Sequence, residues 1–131
     1  MIRLRCLTAA FLVWAVAGCS SVGDREAAAS EVATRLHAAV DAGDGAAACA
    51  ILAPGTVESV AEDEPCPEAI LDKDLPRPGT VVETSVYGQW AQVKLSDDTV
   101  FLGAFPGGWR VVAAGCTPQA SRPYDCTVQG E

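Results

Sequence analysis

His37 is the chain's one histidine and stands one helical turn ahead of Asp41, a spacing at which an imidazole and a carboxylate can pair. Such a pair moves protons, and a nucleophile beside it would complete a triad. None is supplied: there is no G-x-S-x-G elbow, and Ser59, Ser85, Ser96 and Ser121 stand without a supporting pattern. His37 therefore reads as a boundary residue on a helix. Tyr87, Asp97, Asp98 and Tyr124 are the other groups able to move a proton or stabilise an oxyanion. Asp97 and Asp98 fall in a turn, where Asp is favoured for its bonds to the backbone. Tyr87 ends a strand as a packing residue, and Tyr124 with Asp125 fixes the tail. No catalytic residue is expected.

Metal and cofactor chemistry is as poorly supplied. Asp41-Ala42-Gly43-Asp44-Gly45 has the look of a calcium loop but lacks its alternating acids and terminal bidentate Glu, so it reads as a helix break and cap. Glu62-Asp63-Glu64 reads as a solvated loop. No glycine-rich phosphate loop occurs, and neither a metal nor a cofactor is expected.

Six cysteines divide by position. Cys6 and Cys19 lie in or just behind an apolar N-terminal stretch, and Cys49, Cys66, Cys116 and Cys126 remain for the body of the chain. Without a C-x-x-C pair, and with His37 far from all four, a zinc site and a thioredoxin-like redox role both fail. Two disulfides are expected in an exported chain. Three connectivities are open, and the nearness of each neighbouring pair favours Cys49–Cys66 with Cys116–Cys126.

Arg3 and Arg5 precede the apolar run Leu7 to Val16, and small residues flank the Gly18–Cys19 bond, as in a secretory signal. The run Val16-Ala17-Gly18-Cys19 resembles the lipobox of bacterial lipoproteins, whose cysteine thiol is alkylated by a diacylglyceryl group before the peptide is cut ahead of it. The apolar run falls short of the about 20 residues that a membrane span needs, so cleavage is expected over retention. No paired arginines precede it, which points to the general secretory route. Residues 1–18 are then a signal peptide, 19–24 a lipidated Cys19 with a short tether, and 25–131 one domain. The implied location is the extracytoplasmic face of the cell membrane, with the acyl chains on Cys19 as the membrane attachment.

Loss of residues 1–18 removes two arginines and no acid, leaving seven basic and 17 acidic residues and a formal charge of −10 in place of −8. A surface so acidic repels phosphate backbones and anionic head groups, which excludes nucleic acid as a partner class. Basic peptides or cations stay compatible, although spread-out negative charge also serves simply to keep a domain soluble.

The elements that must position all of this change period near the middle of the chain. From Asp24 to Ala42, Ala29, Val32, Ala33, Leu36, Ala39 and Val40 share one helical face, with Asp24 as cap and Glu31–Arg35 as an i,i+4 pair. Asp44 caps a shorter helix through Leu52. Val57 and Val60 belong to a turn or short third helix, and Pro67 to Leu71 to one more helical turn. After Pro78, Thr80–Tyr87, Trp90–Leu95, Thr99–Phe105 and Trp109–Ala114 read as four strands joined by compact turns. Ala91, Val93 and Leu95 alternate with Gln92 and Lys94, so that strand has one wet face. The third strand is apolar on both parities, which predicts cover on both sides or a curl. Trp90 and Trp109 start strands, as core lids or as rims of a groove.

The helix Val32–His37, the short helix carrying Cys49, the segment Gly107-Gly108-Trp109-Arg110-Val111 and the tail from Gly115-Cys116 to Asp125-Cys126 resemble small lipoproteins of GC-rich Gram-positive bacteria. That resemblance implies an NTF2-like cone or a shortened cystatin-like relative and is consistent with the favoured disulfides, with the helical part abbreviated. The expected fold is thus α+β, with N-terminal helices packed on a curved four-stranded antiparallel meander, an NTF2-like cone, and two disulfides. The expected role is noncatalytic: a lipid-anchored protein of the cell envelope binding a small ligand or lipid in a concave sheet, or alternatively a protein–protein accessory or inhibitor module. A proton-transfer enzyme of the NTF2-like kind is the third reading.

Overall fold

The computed structural model describes residues 21–130, so Cys6, Cys19, the signal segment and the lipidation site lie outside the described residues. Two reciprocal hydrogen bonds start the first helix: Asp24 N–H donates to Ser21 Oγ and Ser21 N–H to the Asp24 carboxylate. This capping box satisfies two end donors at once and moves the start ahead of the expected Asp24 cap. Helix α1 therefore spans Val22–Asp41 and takes in most of the segment expected as a tether.

Asp44 caps α2 (Gly45–Ile51) by accepting from Ala47 N–H at 3.0 Å, as the helix-break reading of the Asp41–Gly45 segment required. Pro54 opens α3 (Pro54–Val60), and Pro67 sits in the first turn of α4 (Cys66–Asp72), positions where a missing N–H costs nothing. Disulfides join Cys49 to Cys66, tying α2 to α4, and Cys116 to Cys126. Both favoured pairings are present.

Five strands follow, not four: β1 (Val81–Tyr87), β2 (Trp90–Leu95), β3 (Thr99–Phe105), β4 (Gly108–Gln119) and β5 (Arg122–Gln129). They form one open antiparallel sheet in chain order. The fourth strand runs five residues past its expected end, and the tail becomes the fifth. Gly115, Pro118 and Pro123 look like breakers, yet Gly115 takes φ +65° within β4 and Cys116 lies directly opposite Cys126 in the β4–β5 ladder. The bond across that ladder turns an irregular tail into a hairpin.

Side chains alternate across a strand, and the helices cover one face only. On that face Ala91, Val93, Leu95, Val100, Leu102 and Val111 are buried against Ala29, Ala33 and Leu36 of α1 and Leu52 and Ile70 of the shorter helices. Fully burying each Leu or Ile contributes about 1.5–3 kcal/mol. The segment from α2 to α3 closes the part of β4 that β5 does not reach: Ala53 N–H donates to Val111 O at 2.8 Å and Thr56 Oγ1 to Val112 O at 2.9 Å. No helix among the described residues is long and apolar enough to cross a membrane.

Candidate functional site

His37 does not pair with Asp41. Asp41 is exposed and faces Arg77 at 3.9 Å, while His37 is fully buried in the row Ala29, Ala33, His37 along α1 and meets Asp98. His37 Nδ1 donates to the Ala33 carbonyl at 3.1 Å, since a carbonyl can only accept, and Nε2 donates to Asp98 Oδ2 at 2.6 Å. Asp98 is buried as well, which corrects its reading as an ordinary turn residue. Its carboxylate accepts three backbone N–H groups besides the imidazole: Thr99 at 2.7 Å, Cys116 at 2.9 Å and Gly115 at 3.0 Å. Gly115 in the left-handed region turns two successive amides to one side, and the carboxylate sits in that nest.

Burial lowers the His37 pKa, but the hydrogen bond to Asp98, the acceptor at Ala33 and the carboxylate's charge outweigh it and raise the net value above 6.5. A group whose folded-state pKa exceeds its unfolded value contributes stability that is complete below the unfolded pKa and lost as pH rises through the folded one. The denaturation midpoint should therefore fall as pH climbs above 6.5. Urea titrations between pH 6 and 9 check this, and a slope that persists unchanged in His37→Gln would assign it to other groups.

With both ring nitrogens engaged and all four acceptor contacts of Asp98 taken, the pair joins α1 to the sheet and presents no free lone pair to a substrate. The remaining candidates do not converge on it. Tyr124 lies over the sheet face opposite the helices, its ring centroid 5.0 Å from that of Phe101 in an edge contact, and its hydroxyl accepts from Gln92 Nε2 at 3.2 Å. Tyr87 is 53 % exposed at the end of β1. Asp97 is exposed in the β2–β3 turn. In the acidic region the Glu64 carboxyl is raised above its ordinary value by a hydrogen bond to Asp72, then by burial and the charges of Asp72, Glu68 and Asp63. No group of three or more metal-ligating side chains occurs among the described residues.

The helix-free face of the sheet is the feature that alternation foretold only in part. Phe101 and Phe105, the second parity of the third strand, are half-buried there without a covering layer of helices. Tyr87 and Trp90 stand opposite each other in the β1–β2 ladder, Trp90 also 53 % exposed. Between them and the phenylalanines lies Gly103, whose missing side chain is ringed by Phe105, Trp90 and Val112; an added Cβ would come within 3.0–3.5 Å of all three. Two charged groups here, Lys94 and Glu83, pair at 3.4 Å. Beyond Phe105 the face runs into a groove of about 530 Å³ lined by Pro106, Arg110, Leu52, Pro54 and Val57.

No family model, curated protein or solved structure matches the chain.

Trp109, the other strand-opening tryptophan, belongs to the helix side instead. It packs half-buried against the core beneath the Arg25 guanidinium, 5.2 Å from the ring centroid, and borders a second groove of about 320 Å³ with Val32, Arg35, Ile51 and Arg110. Arg110 donates to the Ala50 carbonyl at 3.0 Å, which holds the α2 end against the sheet margin.

Proposed function

We propose that the chain is a lipid-anchored protein of the cell envelope, held at the extracytoplasmic face of the membrane through Cys19, and that its exported domain is a noncatalytic module that holds a protein partner on the helix-free sheet face. The observation that carries this reading is the open strip of Tyr87, Trp90, Phe101, Phe105 and Tyr124 around Gly103. Tyrosine and tryptophan supply large contact area at low entropic cost, and exposed apolar patches of this kind mark interaction surfaces. Glu83 and Lys94 beside the strip pair with each other, so its partner meets it chiefly through apolar and hydrogen-bonding groups. The order of helices followed by an antiparallel meander supports kinship with an abbreviated NTF2-like cone. On the side where such a cone would hold a ligand, side chains of α1 and the sheet fill the space. The small-ligand reading keeps one observation in its favour, the groove of about 530 Å³ beside Phe105.

A photo-crosslinking residue in place of Trp90, in the full chain expressed in an envelope-bearing host, tests the proposal. The expected result is a discrete adduct with one envelope protein, absent in Phe105→Lys, together with loss of membrane association in Cys19→Ser. No protein adduct, with a small molecule retained by the native chain, overturns the partner reading. Membrane retention of Cys19→Ser overturns the anchor.

A further inference from the structure

The two edges of the sheet are guarded differently. Strand β5 carries Arg122, Pro123 and Asp125, all exposed, and charges and proline are what keep an edge from pairing with another chain. Strand β1 reads Val81-Val82-Glu83-Thr84-Ser85-Val86-Tyr87, without proline, with one charge already paired across the sheet to Lys94, and with a single register shift at Val82 near its start. Val81 and Val82 are 45 % and 68 % exposed. Tyr87 and Trp90 flank the two-residue turn Gly88-Gln89 and form its hydrogen-bonded pair, so Glu83, Ser85 and Tyr87 direct their backbone groups to β2. Thr84 and Val86 direct theirs outward, and no backbone hydrogen bond among the described residues takes these up.

Helix α1 runs beside this edge and antiparallel to it: Arg25 donates to the Gly88 carbonyl past one end of β1, and Asp41 pairs with Arg77 ahead of the other. Ser30, Thr34 and Ala38, one turn apart on α1, line with Val81 a groove of about 440 Å³. The hydroxyls of Ser30 and Thr34 donate back to the carbonyls of Glu26 and Ser30, so the stripe presents small, satisfied side chains.

We propose that β1 is the seam of a homodimer in which two copies pair antiparallel about Thr84 and extend the sheet to ten strands. A second copy fits this edge because both elements are self-complementary. With Thr84 opposite its counterpart, Glu83 faces Ser85, so the acid meets a hydroxyl and not its own like, and the regular part of the strand ends at the register shift at Val82. The same two-fold axis runs the α1 helices of the two copies antiparallel, with the small residues Ser30, Thr34 and Ala38 beside the edge at Val81. Copies of an acidic domain repel over most of their surface, but charges flanking the seam are paired within each copy, Glu31 with Arg35 and Glu83 with Lys94. The seam lies at the sheet's edge and shares only Tyr87, at the end of β1, with the strip assigned to a partner above.

Thr84→Cys in the full chain, in membranes under mild oxidation, reads the seam directly. Opposed residues of a hydrogen-bonded antiparallel pair have Cα atoms about 5.5 Å apart, within disulfide range. The expected product is a reducible species of twice the chain mass, lowered about tenfold by Val82→Lys at an exposed position where lysine blocks edge pairing. Sedimentation of the otherwise native chain in detergent should give a dimer that Val82→Lys converts to a monomer. A monomeric native chain, an equal yield from the β5 control Thr127→Cys, or a yield indifferent to Val82→Lys overturns the proposal.

Discussion

Asp98→Ala is expected to cost the domain about 3–5 kcal/mol, because it removes one partner of a buried ion pair and leaves the other without a counter-charge. Total stabilities of about 5–15 kcal/mol make that a large fraction of what holds a domain folded. Three backbone donors, Thr99, Gly115 and Cys116, lose their acceptor in the same step, and each buried donor left unpaired costs about 1–3 kcal/mol if water cannot reach it. The two partners should not be equivalent. His37→Gln leaves the Asp98 carboxylate with its three amides and should be the milder change, whereas Asp98→Ala leaves nothing for the imidazole or the nest. Asp98→Asn keeps one acceptor oxygen and should fall between. Asp97→Ala, one residue away and exposed, should stay within about 0.5 kcal/mol of the native domain. Urea denaturation at pH 6 ranks the four, and an Asp98→Ala cost below about 1 kcal/mol would mean that the pair is not the joint between α1 and the sheet.

That joint was legible in the sequence by a route that local pairing obscured. His37 falls four residues after Ala33 and eight after Ala29, in the row that helical geometry buries, and a buried imidazole needs a partner. Asp41 is one turn on and attracts the eye, but it points to solvent. Asp98 looks like a turn residue because it is one in the backbone sense: its own carbonyl accepts from Leu95 N–H at 2.7 Å while its side chain turns inward. No spacing rule joins residues 61 apart in sequence. Strands β1 to β3 were legible because alternation and short turns are local signals, and the disulfides because each links near neighbours. The fifth strand was not, since the Gly115 kink, Pro118 and Pro123 hide a pairing that the Cys116–Cys126 bond ties from within and the Asp98 carboxylate holds from outside the segment. The aromatic face was half legible: period two separates Phe101 and Phe105 from Val100 and Leu102, but which face the helices leave open depends on where α1 lands.

Gly45→Ala should destabilise the domain by about 3 kcal/mol, the upper end of what one inserted methyl costs in a packed interior. An added Cβ at Gly45 would lie 1.8 Å from the Pro67 carbonyl oxygen and 2.6 Å from its carbon, so the obstacle is the α4 backbone and not a side chain that can rotate away. Relief would require α2 and α4 to part, and the Cys49–Cys66 bond, one turn along α2 and adjacent to Pro67, holds them together. For a domain of about 100 residues the expected loss in Tm is about 12–20 °C. Gly23→Ala, the same change in the first turn of α1 with only Ser21 Oγ at 3.8 Å, should instead leave stability level or raise it by up to about 1 kcal/mol through helix propensity. Coupling to the disulfide supplies the decisive control. In a Cys49→Ala/Cys66→Ala background, itself about 2–5 kcal/mol less stable, the helices are free to separate, and the added cost of Gly45→Ala should shrink by at least about 1 kcal/mol. Equal costs in both backgrounds would mean that the clash is relieved within α2 and that the disulfide does not set the distance between the two helices.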